Sequence, residues 1–264
     1  MCPEVDFFGL SLPTYGLCSF LGFWMSIAVS SILVTKRNIR HWSFFLTSAV
    51  AALGLFVGSH LLYGITRIKE IAEVLKNYTE YGSFLEVCSE LSFYFSGMVF
   101  YGGMYGLLIC GVLFAKICKY PVRDICDVYA VVIPLFHIFG RIGCFFAGCC
   151  YGKRWQYGIS GRVIVDGVRE HARRVPIQLI EATLMCLLFV LMLVLFAKKK
   201  FSRNLIFIYL CTYAVIRFVL EFFRGDVIRG SLFGLSTSQW ISIFTILWVS
   251  IYLLLRKKKN KQKT

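Results

Sequence analysis

Two arginines lie where a chain of this kind should hold only apolar side chains. HIFGRIGCFFAGCC, residues 137–150, sets Arg141 in the middle of a run apolar enough to cross a bilayer, and TYAVIRFVLEFFRGD, residues 212–226, does the same with Arg217. An arginine at the bilayer centre costs about 2.5–3.5 kcal/mol on insertion scales, so it normally faces a protein interior or a wet cavity and finds a partner there. At helical spacing His137, Arg141, Cys144 and Gly148 share one face (i, i+4, i+7, i+11), and Tyr213, Arg217, Glu221 and Arg224 share another (i, i+4, i+8, i+11). Glu221 is spaced to pair with both Arg217 and Arg224. Two arginines against one glutamate still leave positive charge, and Arg141 adds to it. Such an excess facing a cavity predicts an anionic ligand, and the planar guanidinium fork suits a phosphate or carboxylate held by two parallel hydrogen bonds.

Each feature also has a purely structural reading. Gly140, Cys144 and Gly148 place small residues at every fourth position, the pattern of a close helix contact, with Arg141 capping a carbonyl. The second cluster reads equally as a self-neutralising ion network. In FYGGMYG, residues 100–106, Gly102, Gly103 and Gly106 surround two phenols, Tyr101 and Tyr105. Those glycines either bend a helix beside a ligand or let two helices approach through Gly102-xxx-Gly106. VPIQLIEA, residues 175–182, sets Gln178 and Glu181 one turn apart, as ligand contacts or as structural hydrogen bonds. Cys144, Cys149 and Cys150 permit a lipid-carrying covalent intermediate, but packing with a vicinal or loop disulfide is the simpler reading. Most of the 11 cysteines lie in apolar runs, and Cys149-Cys150 lack the C-x-x-C separation of a zinc site. No metal and no cofactor are expected.

The elements that must position these residues are membrane spans. Of the 264 residues, 58% are hydrophobic and 16% charged, and the mean hydropathy is +0.71. About 20 apolar residues cross the hydrocarbon layer, and seven such runs occur, at roughly 14–34, 43–64, 94–115, 126–148, 177–197, 204–223 and 237–255. The expectation is an all-α, multi-pass membrane protein of one polytopic domain. The first run has the marks of a retained span rather than of a removable signal peptide. Of the 29 Lys and Arg, 16 fall in the loops after spans one, three and five and in the tail, 11 fall on the opposite side, and Arg141 and Arg217 lie within spans. The positive-inside rule then puts the N-terminus outside and the basic tail RKKKNKQKT in the cytoplasm. The net charge of +15 is thereby assigned to topology and anionic lipid rather than to nucleic acid. Two outward loops, 65–93 and 149–176, are long enough to form small caps, the first acidic and the second rich in arginine.

Four motifs in order, spread over about half of the chain, resemble the prolipoprotein diacylglyceryl transferase family. FYGGMYG (100–106) is similar to its His-Gly-Gly loop, GRIGCFFAGCCYGK (140–153) to its GRIGNFxNGExxG signature, VPIQLIEA to its HPxQLYEA stretch and YAVIRFVLEFFRGD (213–226) to its RFxxEFxR motif. The resemblance implies a bacterial plasma-membrane enzyme with seven spans and an outward N-terminus. Its reaction would move the diacylglyceryl group of phosphatidylglycerol onto the thiol of the lipobox cysteine following a prolipoprotein signal peptide, releasing glycerol 1-phosphate. By position Arg141 and Arg217 would grip the headgroup with Glu221 and Arg224 completing the second cluster, while Gly102, Gly103, Gly106, Gly140, Gly143, Cys144, Gln178, Glu181 and Tyr213 line the substrate. The chain departs from the pattern at Tyr101 (family histidine), Cys144 and Ala147 (asparagines), Cys149 (glutamate) and Val175 (histidine). His137, one turn from Arg141, and Tyr101 are then the candidates to position the substrate thiol. Two other readings stay open: a phospholipid-dependent transferase with a different acceptor, and a non-catalytic phospholipid-binding or transport protein. The absence of a visible internal repeat weighs against transport.

Overall fold

The computed structural model describes residues 4–7, 10–77, 83–97, 100–165, 168–225, 231–232 and 234–261. A short hairpin, β1 (Glu4–Phe7) with β2 (Leu10–Pro13), leads into α1 (Thr14–Lys36). There follow α2 (His41–Thr66), α3 (Ile68–Lys76), α4 (Phe84–Tyr94), α5 (Phe100–Ile117) and α6 (Val122–Ala147). An antiparallel hairpin of β3 (Arg154–Val165) and β4 (Val168–Arg174) precedes α7 (Ile177–Ala197) and α8 (Leu205–Glu221). The strand pair β5 (Ser231–Leu232) and β6 (Leu235–Ser236) then leads into α9 (Thr237–Lys261).

Each of the seven apolar runs contains a helix, but they are not equivalent. Five helices, α1, α2, α6, α7 and α9, are long and apolar enough to cross a membrane among the described residues. The run expected at 94–115 contributes the shorter helix α5, and that at 204–223 contributes α8, of 17 residues with Arg217 and Glu221 inside it. Many large apolar side chains on the long helices are exposed, among them Trp24, Leu53, Leu187 and Trp248. Such surfaces suit a hydrocarbon solvent.

The two long segments between apolar runs carry more structure than loops. Residues 65–93 include α3 and α4. In α4 the Ser83 hydroxyl accepts from the Glu86 amide at 3.3 Å, and in α3 Ile71 and Val74 bury one face beside an Arg67–Glu70 ion pair at 3.1 Å. Residues 149–176 form the β3–β4 hairpin, where Glu170 bonds both Arg154 and Arg174, so part of the arginine charge is neutralised within the hairpin.

The chain resolves into two compact units, Met1–Leu33 with Cys126–Thr264, and Val34–Ile125. In the second, α2 packs along α5. In the first, α1 lies on α6 with Gly22 against Phe139, and Gly143 against Tyr15 and Cys18. Asp127, fully buried on α6, accepts the amide N–H groups of Arg203 at 2.5 Å and Leu205 at 3.0 Å. The Leu205 amide is among the donors a helix start leaves open, so Asp127 caps α8 from a neighbouring helix and fixes the height of Arg217.

Candidate active site

The first unit gathers two ion clusters from α6, α7, α8 and α9. Pro176 caps the start of α7, and its carbonyl accepts the Leu179 and Ile180 amides, which sets Gln178 and Glu181 within the first turns of the helix. Glu181, 1% exposed, lies 2.9 Å from Nη2 of Arg141 and 3.4 Å from Nε2 of His137. Neither of its oxygens closes an aligned hydrogen bond among the described residues. The Nε–H of Arg141 donates to Nε2 of His137 at 3.2 Å, so that nitrogen carries no proton and the ring proton sits on Nδ1. The Tyr213 phenol stands in hydrogen-bonding reach of Arg141, its ring 5.3 Å from His137 and stacked on Tyr209 at 6.0 Å.

The second cluster follows the spacing read from the sequence. Arg217, 7% exposed, contacts Glu221 at 2.5 Å, and its Nη2 donates to the Ser238 hydroxyl on α9 at 3.2 Å. Nε of Arg224 lies 3.9 Å from the same Glu221 oxygen. Nη1 of Arg217 is buried and has no hydrogen-bond partner among the described residues. Three guanidiniums against two carboxylates leave one positive charge, and a buried donor without an acceptor marks a place that an anion would complete.

Several expectations change against this geometry. Glu181 and Gln178 each make a structural contact: Glu181 answers Arg141, while the Gln178 amide donates to the Cys149 carbonyl at 2.7 Å. The small-residue stripe of α6 is not a helix contact, since a Cβ built on Gly140 meets nothing within 4 Å and Gly148, at φ +74°, ends the helix. Gly143 is the residue of that stretch that packs closely. Gly102 and Gly106 meet the backbone of α2, which is the structural reading of those glycines. Tyr101 lies in the first turn of α5, and its side chain is outside the described part of the structure. Asp127 and Ser238 were not singled out from the sequence; each acts across elements, with no local motif to announce it.

Beside the clusters, Phe145, Tyr151, Arg174, Val175, Pro176 and Gln178 line a small recess. The guanidinium of Arg174 stacks on Tyr151 at 4.4 Å and donates to the Gly152 carbonyl at 3.4 Å. Cys144, Cys149 and Cys150 stand next to this recess as free thiols, and no disulfide joins any cysteine among the described residues. Hydrogen bonds from Cys144 and Cys149, with Arg224 nearby, hold the Cys150 thiol below its ordinary pKa.

A family model described as prolipoprotein diacylglyceryl transferase matches residues 4–255. A phosphatidylglycerol--prolipoprotein diacylglyceryl transferase of Clostridium tetani (strain Massachusetts / E88) is 31% identical over 247 residues, 92% of this chain and 92% of its own length. The protein of the same name in Campylobacter hominis is 30% identical over 269 residues, 97% and 91% of the two chains. A phosphatidylglycerol--prolipoprotein diacylglyceryl transferase 2 of Clostridium perfringens (strain 13 / Type A) is 27% identical over 265 residues, 98% and 96% of the two chains. With the family model covering nearly the whole sequence and the arginine motifs brought together in one unit, the chain belongs to the prolipoprotein diacylglyceryl transferase family.

Proposed function

We propose that this protein transfers the diacylglyceryl group of phosphatidylglycerol to the thiol of a prolipoprotein lipobox cysteine and releases glycerol 1-phosphate. The observation that carries the reading is the unpartnered Nη1 of Arg217 in a buried cluster with one net positive charge. In the reaction the thiol sulfur attacks the glyceryl carbon that bears the phosphate. A carbon–sulfur bond forms as the carbon–oxygen bond breaks, and the electron pair leaves with the phosphate. Arg141 and Arg217 hold that phosphate, and their grip strengthens as charge builds on the departing oxygen, which lowers the barrier rather than merely binding substrate. Glu221 and Arg224 fix Arg217, Glu181 and Tyr213 fix Arg141, and the open space at Gly140 admits the headgroup.

His137 enters through its bond to Arg141. A phosphate that draws the Arg141 fork forward frees Nε2 of His137 to take the thiol proton. The recess lined by Tyr151, Arg174 and Gln178 serves the lipobox peptide. The same reading places the protein in a bacterial plasma membrane as one seven-span domain with its N-terminus outside.

The test is transfer of label from phosphatidylglycerol to a synthetic lipobox peptide by the purified protein in detergent. Labelled peptide with stoichiometric glycerol 1-phosphate is expected. Release of glycerol 1-phosphate without labelled peptide would assign a different acceptor, and neither product would overturn the transferase reading for this chain. In the same assay the double variant His137→Ala, Tyr101→Phe is expected to lose at least about 10²-fold in rate, the scale of a general base. Undiminished transfer would remove both residues from the proton step.

A further inference from the structure

The sequence shows no C-x-x-C pair, yet the turn after α6 builds a set of thiols that such a pair would not. The sulfurs of Cys144, Cys149 and Cys150 all lie within 4.8 Å of one another. Their convergence follows from how the helix ends. The Gly148 N–H donates to the Phe145 carbonyl at 3.3 Å and the Cys149 N–H to the Cys144 carbonyl at 3.2 Å, with Gly148 at φ +74°. This is a Schellman termination, which folds the chain back over the last helical turn and sets Cys149 above Cys144. Cys150 also has a left-handed backbone, φ +55°, which a non-glycine residue keeps only where its surroundings impose it.

Those surroundings are fixed on both sides. Gln178 holds the Cys149 carbonyl at 2.7 Å, and the segment just beyond is pinned to the end of α8. There the Gly225 amide donates to Tyr151 at 3.0 Å, the Lys153 amide donates to Phe223 at 2.9 Å, and Gly152 pairs with Arg224. The sulfur triangle is thus set by backbone hydrogen bonds before any ion arrives.

We propose that Cys144, Cys149 and Cys150 form a three-thiolate site for one thiophilic d10 cation, zinc(II) or copper(I). Zinc–sulfur bonds of about 2.3 Å put the sulfurs of a tetrahedral site about 3.8 Å apart, so the present triangle need contract by no more than about 1 Å. Zinc would keep its fourth position for water, and copper(I) is satisfied by three soft ligands. Charge agrees as well. Three thiolates on zinc carry one net negative charge, and the adjoining arginine and glutamate clusters carry one net positive charge. Arg224 bonds the Cys150 sulfur, and Arg141 lies in electrostatic reach of Cys144 and Cys150, the place of outer donors that orient metal-bound thiolates. This site does not depend on the transfer reaction.

The full-length protein, reduced without oxygen in detergent, is equilibrated with zinc(II), or with copper(I) against a chromophoric chelator, and then desalted. One ion per chain is expected by elemental analysis. The triple variant Cys144→Ser, Cys149→Ser, Cys150→Ser should bind at least about 10²-fold more weakly, while Cys186→Ser binds as the parent does. Cobalt(II) should give intense thiolate-to-metal charge-transfer absorption. In the unmutated protein, bound zinc should slow alkylation of these three thiols at least tenfold and leave exposed Cys88 and Cys186 unchanged. Retention of copper alone assigns a trigonal site. No retained ion of either kind, or retention and alkylation rates indifferent to the three cysteines, overturns the proposal.

Discussion

Replacing Arg141 with alanine will abolish diacylglyceryl transfer and destabilise the protein, and adding Glu181→Gln will restore the stability without the activity. The two effects separate because Arg141 has two kinds of partner. Glu181 is almost fully buried and lies 2.9 Å from Nη2 of Arg141, so alanine leaves a carboxylate without its counter-charge in an apolar surround. Breaking one side of such a buried pair costs about 3–5 kcal/mol, and neutralising the survivor as glutamine removes most of that penalty. In the proposed reaction the same guanidinium stabilises the departing phosphate, and losing one donor of that kind slows catalysis by about 10²–10³-fold. Glutamine cannot replace it. Arg141→Lys keeps the charge but loses the planar fork and the Nε–H bond to His137, so it should fold near normally and transfer poorly. Thermal unfolding and labelled transfer, measured in one detergent, read the two effects side by side. Recovered transfer in the Arg141→Ala, Glu181→Gln variant would make Arg141 a structural ion-pair partner only.

The sequence discloses what repeats along one helix and conceals what crosses between helices. Glu221 with Arg217 and Arg224 was readable because all three lie on one helical face or at its end, at spacings of three and four. That Arg141 needed a partner was also readable, from the cost of a charge in an apolar run. Which partner was not, because Glu181 is 40 positions away and arrives through the packing of α7 against the site. Asp127 is concealed in the same way, since it looks like an interfacial charge and is a buried cap for a helix more than 70 residues on. Each of the seven apolar runs contains a helix, and the five long and apolar enough to cross a membrane among the described residues leave out α5 and α8, the two shorter ones. The two long segments between spans were under-read, although Ile68, Ile71 and Leu75 of α3 do recur at helical spacing, and the 149–176 hairpin is stabilised by its own ion pairs. The convergence of the three thiols was not legible for a reason of geometry. Spacing rules for metal ligands assume a loop between two ligand pairs, whereas here a helix end folds back on itself.

Gly106→Leu should leave little folded protein, whereas Gly140→Leu should fold normally and lose transfer. Both positions are glycines in apolar helices, and the sequence offers no way to tell their roles apart. On α2 and α5, Gly54 and Gly58 face Gly102 and Gly106, and a Cβ added at any of the four would meet the partner helix: backbone oxygen at each, and at Gly102 also the Leu62 side chain at 2.6 Å. Close backbone approach of this kind allows Cα–H···O contacts and dense packing, the main source of helix association in lipid. Neither backbone can yield without parting the helices. Alanine at Gly102 or Gly106 should therefore lower stability by about 1–3 kcal/mol each, and leucine by more. Gly140 differs because its built Cβ has nothing within 4 Å among the described residues, so the first atoms of a larger side chain meet no packed neighbour there. In the proposed mechanism that open space, one residue from Arg141, receives the phosphate headgroup, and leucine would occupy it. Monodispersity and unfolding temperature should thus fall for the Gly106 variant alone, while labelled transfer falls for both. A Gly140→Leu protein that folds and transfers at the parental rate would place the headgroup on another face of α6.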